Sequence, residues 1–207
     1  MIEIKKLLKK YGDRAVLDID ELTIKKGELV VLTGHNGSGK SSLLKILAGT
    51  LKPTEGEFKC EGTVYYLPQQ SLPFNKSVSK NLLYCLEGDK KSKREKCEKI
   101  LEAFNLKQLE NKNAKTLSGG ECQRLALARV LCRKADIILL DEPSSAADKE
   151  SRALINEHIV KYHKQTGCTV IMTTHTGEMP VSDRLRVIEL CDGKIRNDTK
   201  EGLKDDA

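Results

Sequence analysis

Residues 34–41, Gly34-His35-Asn36-Gly37-Ser38-Gly39-Lys40-Ser41, follow the pattern G-x-x-x-x-G-K-[ST], and few stretches this short restrict a fold so tightly. The flanks agree with it: residues 28–33 read as a short buried strand before the loop, and residues 41–48 as a helix after it. Gly34, Gly37 and Gly39 let the backbone turn successive N–H groups inward, making a concave cage for phosphate oxygens. The helix that starts near Lys40 adds the positive end of its dipole. Lys40 would reach the outer phosphates as a point charge and the Ser41 hydroxyl would hold Mg²⁺, with His35, Asn36, Ser38 and Ser42 completing the contact set. A glycine-rich turn can match the same pattern by chance, but strand, loop and helix in this order are what phosphate binding needs.

Residues 2–31 alternate apolar and polar with turn signals at Gly12-Asp13 and Lys26-Gly27, which predicts short antiparallel strands. Tyr11, ahead of the cradle, is either an adenine-stacking ring or an ordinary turn tyrosine. Gly49 to Gly56 is a helix stop and turn, followed by strands over residues 57–60 and 63–67. The second strand runs into Pro68-Gln69-Gln70, which places Gln69 at a strand end where a metal or attacking water could be reached. Residues 71–116 read as a mostly helical insertion, with residues 87–92 as a charged linker and a helix from Lys93 to Phe104. The charge run of residues 90–99 reads as a solvated face with i,i+4 pairs.

Two further constellations bear on chemistry. Ser118-Gly119-Gly120-Glu121 opens a strongly helical run, and it is either a second anion-binding helix start or a plain capping box of Ser118 and Glu121. Residues 136–140 are a buried apolar strand ending in Asp141 and Glu142. Adjacent carboxylates at such a strand end suggest a cation: Asp141 would hold the Mg²⁺ shell and Glu142 would polarise the attacking water. A helix to about His163 and a strand over residues 168–174 follow, the latter delivering His175 to the same edge. His35, His158 and His163 read as structural rings. Residues 186–197 form a hairpin around Asp192-Gly193.

Composition narrows the class. A chain of 207 residues with a 39% hydrophobic share can bury a proper core, and no apolar run is long enough to span a bilayer. The N-terminus shows no secretory pattern, so a cytoplasmic protein is expected. Seven scattered cysteines without C-x-x-C spacing argue against disulfides or a zinc site. The net charge of +6 is diluted by acidic residues almost everywhere, and aromatics do not interleave with a basic stripe, so nucleic acid is not an expected partner.

The ordered set GHNGSGKS, LPQ, LSGGE with Gln123, IILLDEP, SAAD and TTH resembles the nucleotide-binding domain of ATP-binding cassette (ABC) proteins over residues 2–197. LSGGE between the phosphate loop and LLDEP separates it from kinases and small GTPases. The resemblance implies an α/β fold: a P-loop NTPase core with a mostly parallel sheet, an N-terminal antiparallel β subdomain and a helical subdomain. It implies one domain over residues 1–207, with the helical part near residues 71–134 inserted. It also implies a head-to-tail dimer, of identical or different cassettes, with two ATP molecules each held between one phosphate loop and the other subunit's Ser118, Gly119 and Gly120. In such proteins Tyr11 would stack on adenine and Gln69 would join Mg²⁺, with Ser41 and Asp141, to a membrane partner. Glu142 would be the catalytic carboxylate, acting with Lys40 and Gln69; His175 would sense the γ-phosphate, and Asp148 would lie in the loop that crosses the dimer interface. Ser144 and Ala147 stand where the family often has Thr and Leu, and the segment from Gly56 to Gln69 is short. The expected activity is ATP hydrolysis that powers a separate transmembrane permease from the inner face of the membrane. A non-transport ABC protein acting on ribosomes or DNA would usually carry two cassettes or a long coiled coil, and a non-hydrolysing regulatory module would have lost Glu142 or His175.

Overall fold

The computed structural model describes residues 1–174, 179–182 and 185–199, so His175 lies outside the described residues. The elements are β1 (Ile2–Tyr11), β2 (Arg14–Ile24), β3 (Leu29–Thr33), α1 (Lys40–Leu47), β4 (Glu55–Cys60), β5 (Val64–Leu67), α2 (Val78–Leu83), α3 (Lys90–Ala103), α4 (Gly119–Leu131), β6 (Ile137–Leu140), α5 (Lys149–Thr166), β7 (Thr169–Thr173), β8 (Leu185–Cys191) and β9 (Lys194–Asp198). They fall into two compact units. The first holds residues 1–66, 135–142 and 160–207, and the second residues 67–134 and 143–159.

In the first unit, β2, β1 and β4 make an antiparallel sheet, while a six-stranded sheet runs in the order β5-β6-β7-β3-β8-β9. Pairs β3·β7, β3·β8 and β6·β7 are parallel and β8·β9 is antiparallel, so the sheet is mostly parallel as expected. The antiparallel part differs from expectation in two ways. Its first strands are long, with ten and eleven residues, and residues 29–31 belong to the other sheet. Leu29 to Leu32 are all buried, the mark of a strand covered on both faces, whereas β1 and β2 alternate because each has one solvated face. Leu43, Leu44, Ile46 and Leu47 of α1 fill the core together with Ile2, Ile4, Ile19 and Ile24 from the antiparallel sheet and Val30, Leu139 and Ile188 from the parallel one. That shared burial is the main stabilising term of the unit.

The second unit is helical. α3 begins at Lys90, three residues before the sequence pattern placed it, because the Asp89 carboxylate accepts the Lys91 and Ser92 N–H groups and caps the helix inside the presumed linker. Nor do charges pair within residues 90–99 among the described residues. Instead Lys107 reaches Glu98 at 3.4 Å and Glu110 at 3.1 Å. His158 stacks on Phe104 and bonds the Ala103 carbonyl, a structural role as read from sequence. All seven cysteines are free. No described helix is long and apolar enough to cross a membrane.

One buried cation ties the first unit together. Arg186, 1% exposed, donates Nε and Nη2 to the two Asp198 oxygens at 2.8 and 2.7 Å, and Nη1 to Glu28 at 2.6 Å and to the Thr23 carbonyl at 2.9 Å. The fork thereby links β8, β9, the end of β2 and the start of β3. Arg186→Ala is expected to lower unfolding free energy by about 3 kcal/mol, the lower end for a broken buried pair because both carboxylates keep some solvent. Urea denaturation of the variant checks this, and a loss under about 1 kcal/mol would show the fork to be dispensable.

Candidate functional site

Topology assembles the site before any side chain is considered. β6, β7 and β3 are neighbours and parallel, so their C-terminal ends open on one edge of the sheet. The edge receives the phosphate loop from β3, Asp141 and Glu142 from β6, and Thr173 from β7. Leu32 pairs with Thr173 and Leu140 with Met172, which sets Asp141 level with Thr173.

The loop needs its glycines for two different reasons. Gly34 and Gly39 have φ of 137° and 104° and also lie against other backbone: a Cβ on Gly39 would stand 2.6 Å from the Val16 carbonyl oxygen, and one on Gly34 would overlap the Leu190 carbonyl. Gly37, at φ 82°, faces open space and needs only the conformation. The Ser38 N–H bonds the His35 carbonyl at 3.1 Å, closing the turn. Lys40 begins α1 and is only 5% exposed; its ammonium folds back onto the Gly34 and His35 carbonyls at 2.7 and 3.0 Å. Burial pushes its pKa down, while the negative charges of Glu142 and Asp141 oppose that shift. His35, Asn36 and Gly37 are exposed, Ser38 and Gly39 are buried, and Ser41 and Ser42 are half-buried on the first turn of α1.

Asp141 is the hub. It is 2% exposed, and its Oδ1 accepts from the Ser41 hydroxyl at 2.9 Å and the Thr173 hydroxyl at 2.9 Å, while Oδ2 accepts from Tyr66 at 3.2 Å. Burial first, then the Asp141 charge, raises the Tyr66 phenol, which stays a donor. The Thr173 oxygen in turn accepts the Glu142 N–H at 2.8 Å. Glu142 has φ of 47°, a left-handed conformation that costs a non-glycine residue about 1–3 kcal/mol and is typical of positions held for function. Asp141 and Ser41 present hard oxygen donors side by side, the chemistry that Mg²⁺ selects. Neither Tyr66 nor Thr173 stood out in the sequence. Thr173 could have been found as the strand-end hydroxyl two residues before His175, but its partner emerges only from strand pairing.

Other expected residues fall as follows. Tyr11 ends β1, is 54% exposed, and has Lys9 Nζ 5.1 Å from its ring centroid. Gln69 is exposed at a bend just past β5, in the second unit. Ser118, Gly119 and Gly120 also belong to that unit. The capping box is formed, with Ser118 N–H on Glu121 at 2.8 Å and Glu121 N–H on Ser118 Oγ at 3.3 Å. Gly119 and Gly120 are the first two helical residues, whose N–H groups have no partner within a helix. Asp148 precedes α5 and accepts the Ser151 N–H at 2.7 Å; that bond, then the Ser151 hydroxyl, Arg124 and Arg152, holds its carboxyl below the usual range.

A phosphate loop, a hydroxyl bonded to a strand-end aspartate and a neighbouring strained glutamate, all on one edge of a mostly parallel sheet, define the class of P-loop nucleoside triphosphatases. The ABC transporter family model matches residues 17–145. The chain is 36% identical over 204 residues to the aliphatic sulfonates import ATP-binding protein SsuB 1 of Streptomyces avermitilis, covering 98% of this chain and 77% of that protein. It is 33% identical over 186 residues to the tungstate uptake system ATP-binding protein TupC of Peptoclostridium acidaminophilum, covering 84% and 87%. Against the spermidine/putrescine import ATP-binding protein PotA of Legionella pneumophila it is 33% identical over 210 residues, 94% of this chain but 58% of that protein's length. The dimeric structure of the ATP-binding cassette MJ0796 bound to ADP and Pi superposes with a TM-score of 0.81 at 28% identity, covering 97% of this chain and 98% of that one. The chain belongs to the ABC transporter family, as one of its ATPase cassettes.

Thr173→Val keeps the shape and removes the hydroxyl that joins the two carboxylate positions. The Glu142 N–H would lose its partner, so stability should fall by about 1–3 kcal/mol, and ATP turnover by about tenfold or more as Glu142 loses its setting. Thr173→Ser should restore both. Paired denaturation and phosphate-release assays check this; a Val variant with normal turnover would remove Thr173 from the site.

Proposed function

We propose that this chain is the ATP-hydrolysing subunit of an uptake transporter whose permease is a separate polypeptide, and that its two units work as one ATPase domain. The observation that carries the reading is the 2.9 Å bond between Ser41 and the buried Asp141, which brings phosphate loop and strand-end acid into one site with Glu142 beside them. The import names of the relatives support the direction of transport. Those names cover a polyamine cation, sulfonates and an oxyanion at similar identity, which supports leaving cargo choice to the permease side of the assembly.

In this reading ATP enters with its phosphates in the cage of residues 34–41, and the Lys40 ammonium exchanges its two carbonyl partners for phosphate oxygens. Ser41, Asp141 and Gln69 would hold Mg²⁺, which when bound offsets charge on the phosphate oxygens. Tyr11, already accessible, would stack on the adenine. Glu142 would orient the attacking water and take its proton, and His175 would contact the γ-phosphate. Two cassettes would close head to tail, so that the Gly119 and Gly120 N–H groups of one face the nucleotide of the other, with Ser118 at the helix start and Asp148 near the interface. The dimeric form of the cassette related at 28% identity supports that arrangement. The second unit would carry the permease contact, with Gln69 at its start, on the inner face of the membrane. Closing with ATP and reopening after hydrolysis is then the power stroke.

Glu142→Gln should keep ATP binding, lower turnover by about 10²–10⁴-fold and accumulate an ATP-bound dimer by size-exclusion chromatography. Unchanged turnover would remove Glu142 from its role. Lys40→Ala should weaken ATP binding by about 10–100-fold, matching the loss of a charged hydrogen-bond donor; calorimetric titration with a non-hydrolysable analogue measures it.

A further inference from the structure

A second cluster shares His35 with the phosphate cage of residues 34–41 and adds two residues, Cys191 and Asp192, that have no part in the ATPase chemistry above. His35 from the loop, Cys191 at the end of β8 and Asp192 in the following turn place one nitrogen, one sulfur and one oxygen atom all within 4.8 Å of one another. The backbone holds them there. Asp192 and Gly193, with φ of 48° and 81°, form the tight turn into β9. The Gly193 N–H donates to the Ser38 carbonyl at 3.2 Å and the Gly193 carbonyl accepts the Asp18 N–H at 2.8 Å. A Cβ on Gly193 would stand 2.6 Å from the Val16 carbonyl oxygen, so only glycine lets the hairpin dock this closely against β2. Loop and hairpin are therefore fixed to each other by main chain, which brings three side chains together at the surface, with His35 54% and Asp192 85% exposed.

The histidine is oriented as a ligand. Its Nδ1 lies 2.8 Å from the Asn36 carbonyl oxygen. A carbonyl only accepts, so Nδ1 carries a proton and Nε2 is the ring atom turned outward; an Nδ1–H bond to a carbonyl is the second contact that metal-bound imidazoles usually make. Nε2 faces Asp192 Oδ1 at 3.4 Å, and Cys191 Sγ lies 3.7 Å from Asp192 Oδ2. A lone pair facing a carboxylate oxygen is repulsive unless a proton or a cation sits between them. A tetrahedral ion with bonds of about 2.0–2.1 Å to nitrogen and oxygen sets those two atoms about 3.3–3.4 Å apart, which is the separation found.

We propose that His35, Cys191 and Asp192 form a site for a borderline-soft divalent cation of the zinc and cobalt class, pinning the β8–β9 turn to the tip of the phosphate loop. Imidazole, thiolate and carboxylate together select that class over Mg²⁺, which takes hard oxygen donors. Three protein ligands leave a fourth position for water or an anionic ligand. The site uses none of the residues assigned to Mg²⁺ and stands whether or not the transport reading does.

Cobalt(II) titration of the full chain, without nucleotide or Mg²⁺, tests it. The expected result is one ion per chain, a thiolate-to-cobalt charge-transfer band, and displacement by zinc(II). Cys191→Ser should lose the band and bind at least about tenfold more weakly, while Asp192→Asn should keep the band and bind more weakly. Zinc(II) should also raise the thermal midpoint of the wild type and not that of Cys191→Ser, since a ligand stabilises only the form that binds it. Absence of stoichiometric binding would overturn the proposal. A band unchanged in Cys191→Ser would also overturn it, by assigning the metal to another cysteine.

Discussion

Asp141 is a carboxylate taken out of water, and that exclusion is tolerable only because three hydroxyls reach it. Ser41 comes from α1, Thr173 from β7 and Tyr66 from β5, so the acid can be buried only when those elements stand in their native order. Losing one donor exposes the others to the desolvation cost of a partly satisfied charge. The site and the fold are thus one constraint: the arrangement that solvates Asp141 is the arrangement that lines up a phosphate loop with two strand-end acids.

Strain is concentrated around that hub. Glu142 takes a left-handed backbone that a glutamate disfavours, and Thr173 holds it there through its N–H. Lys40 is buried on backbone carbonyls that a phosphate would outcompete, since a dianionic partner compensates a buried ammonium better than a carbonyl dipole. Both features cost stability in the ligand-free chain. A bound triphosphate would recover that cost.

The hairpin turn shows a different coupling. Docking of Gly193 on Val16 and Ser38 sets the C-terminal strands against the nucleotide loop through main chain alone, and the cluster of exposed His35 and Asp192 with half-buried Cys191 is a consequence of that docking. By contrast, the buried Arg186 fork ties the same two strands to β2 and β3 from the interior. One hairpin is therefore anchored on both sides, by charge inside and by backbone contact outside.

Much of this was legible in the residues themselves. The loop of residues 34–41, the acids at Asp141 and Glu142, the cap at Ser118 and the hairpin at Asp192-Gly193 each depend on neighbours a few positions away, and local rules of helix start, strand burial and turn chemistry suffice for them. Helix α3 began early because one cap, Asp89, was passed over within a charged run. Tyr66 and Thr173 were silent because a tyrosine or threonine in a strand announces nothing until strand pairing supplies its partner. Cys191 and His35 are separated by most of the chain, so spacing could not associate them. What the amino-acid order determined was which chemistry is present and which elements carry it. What tertiary structure alone decided was which groups share an edge, because that follows from the parallel order β6-β7-β3 and the docking of a turn, and both are set by long-range burial.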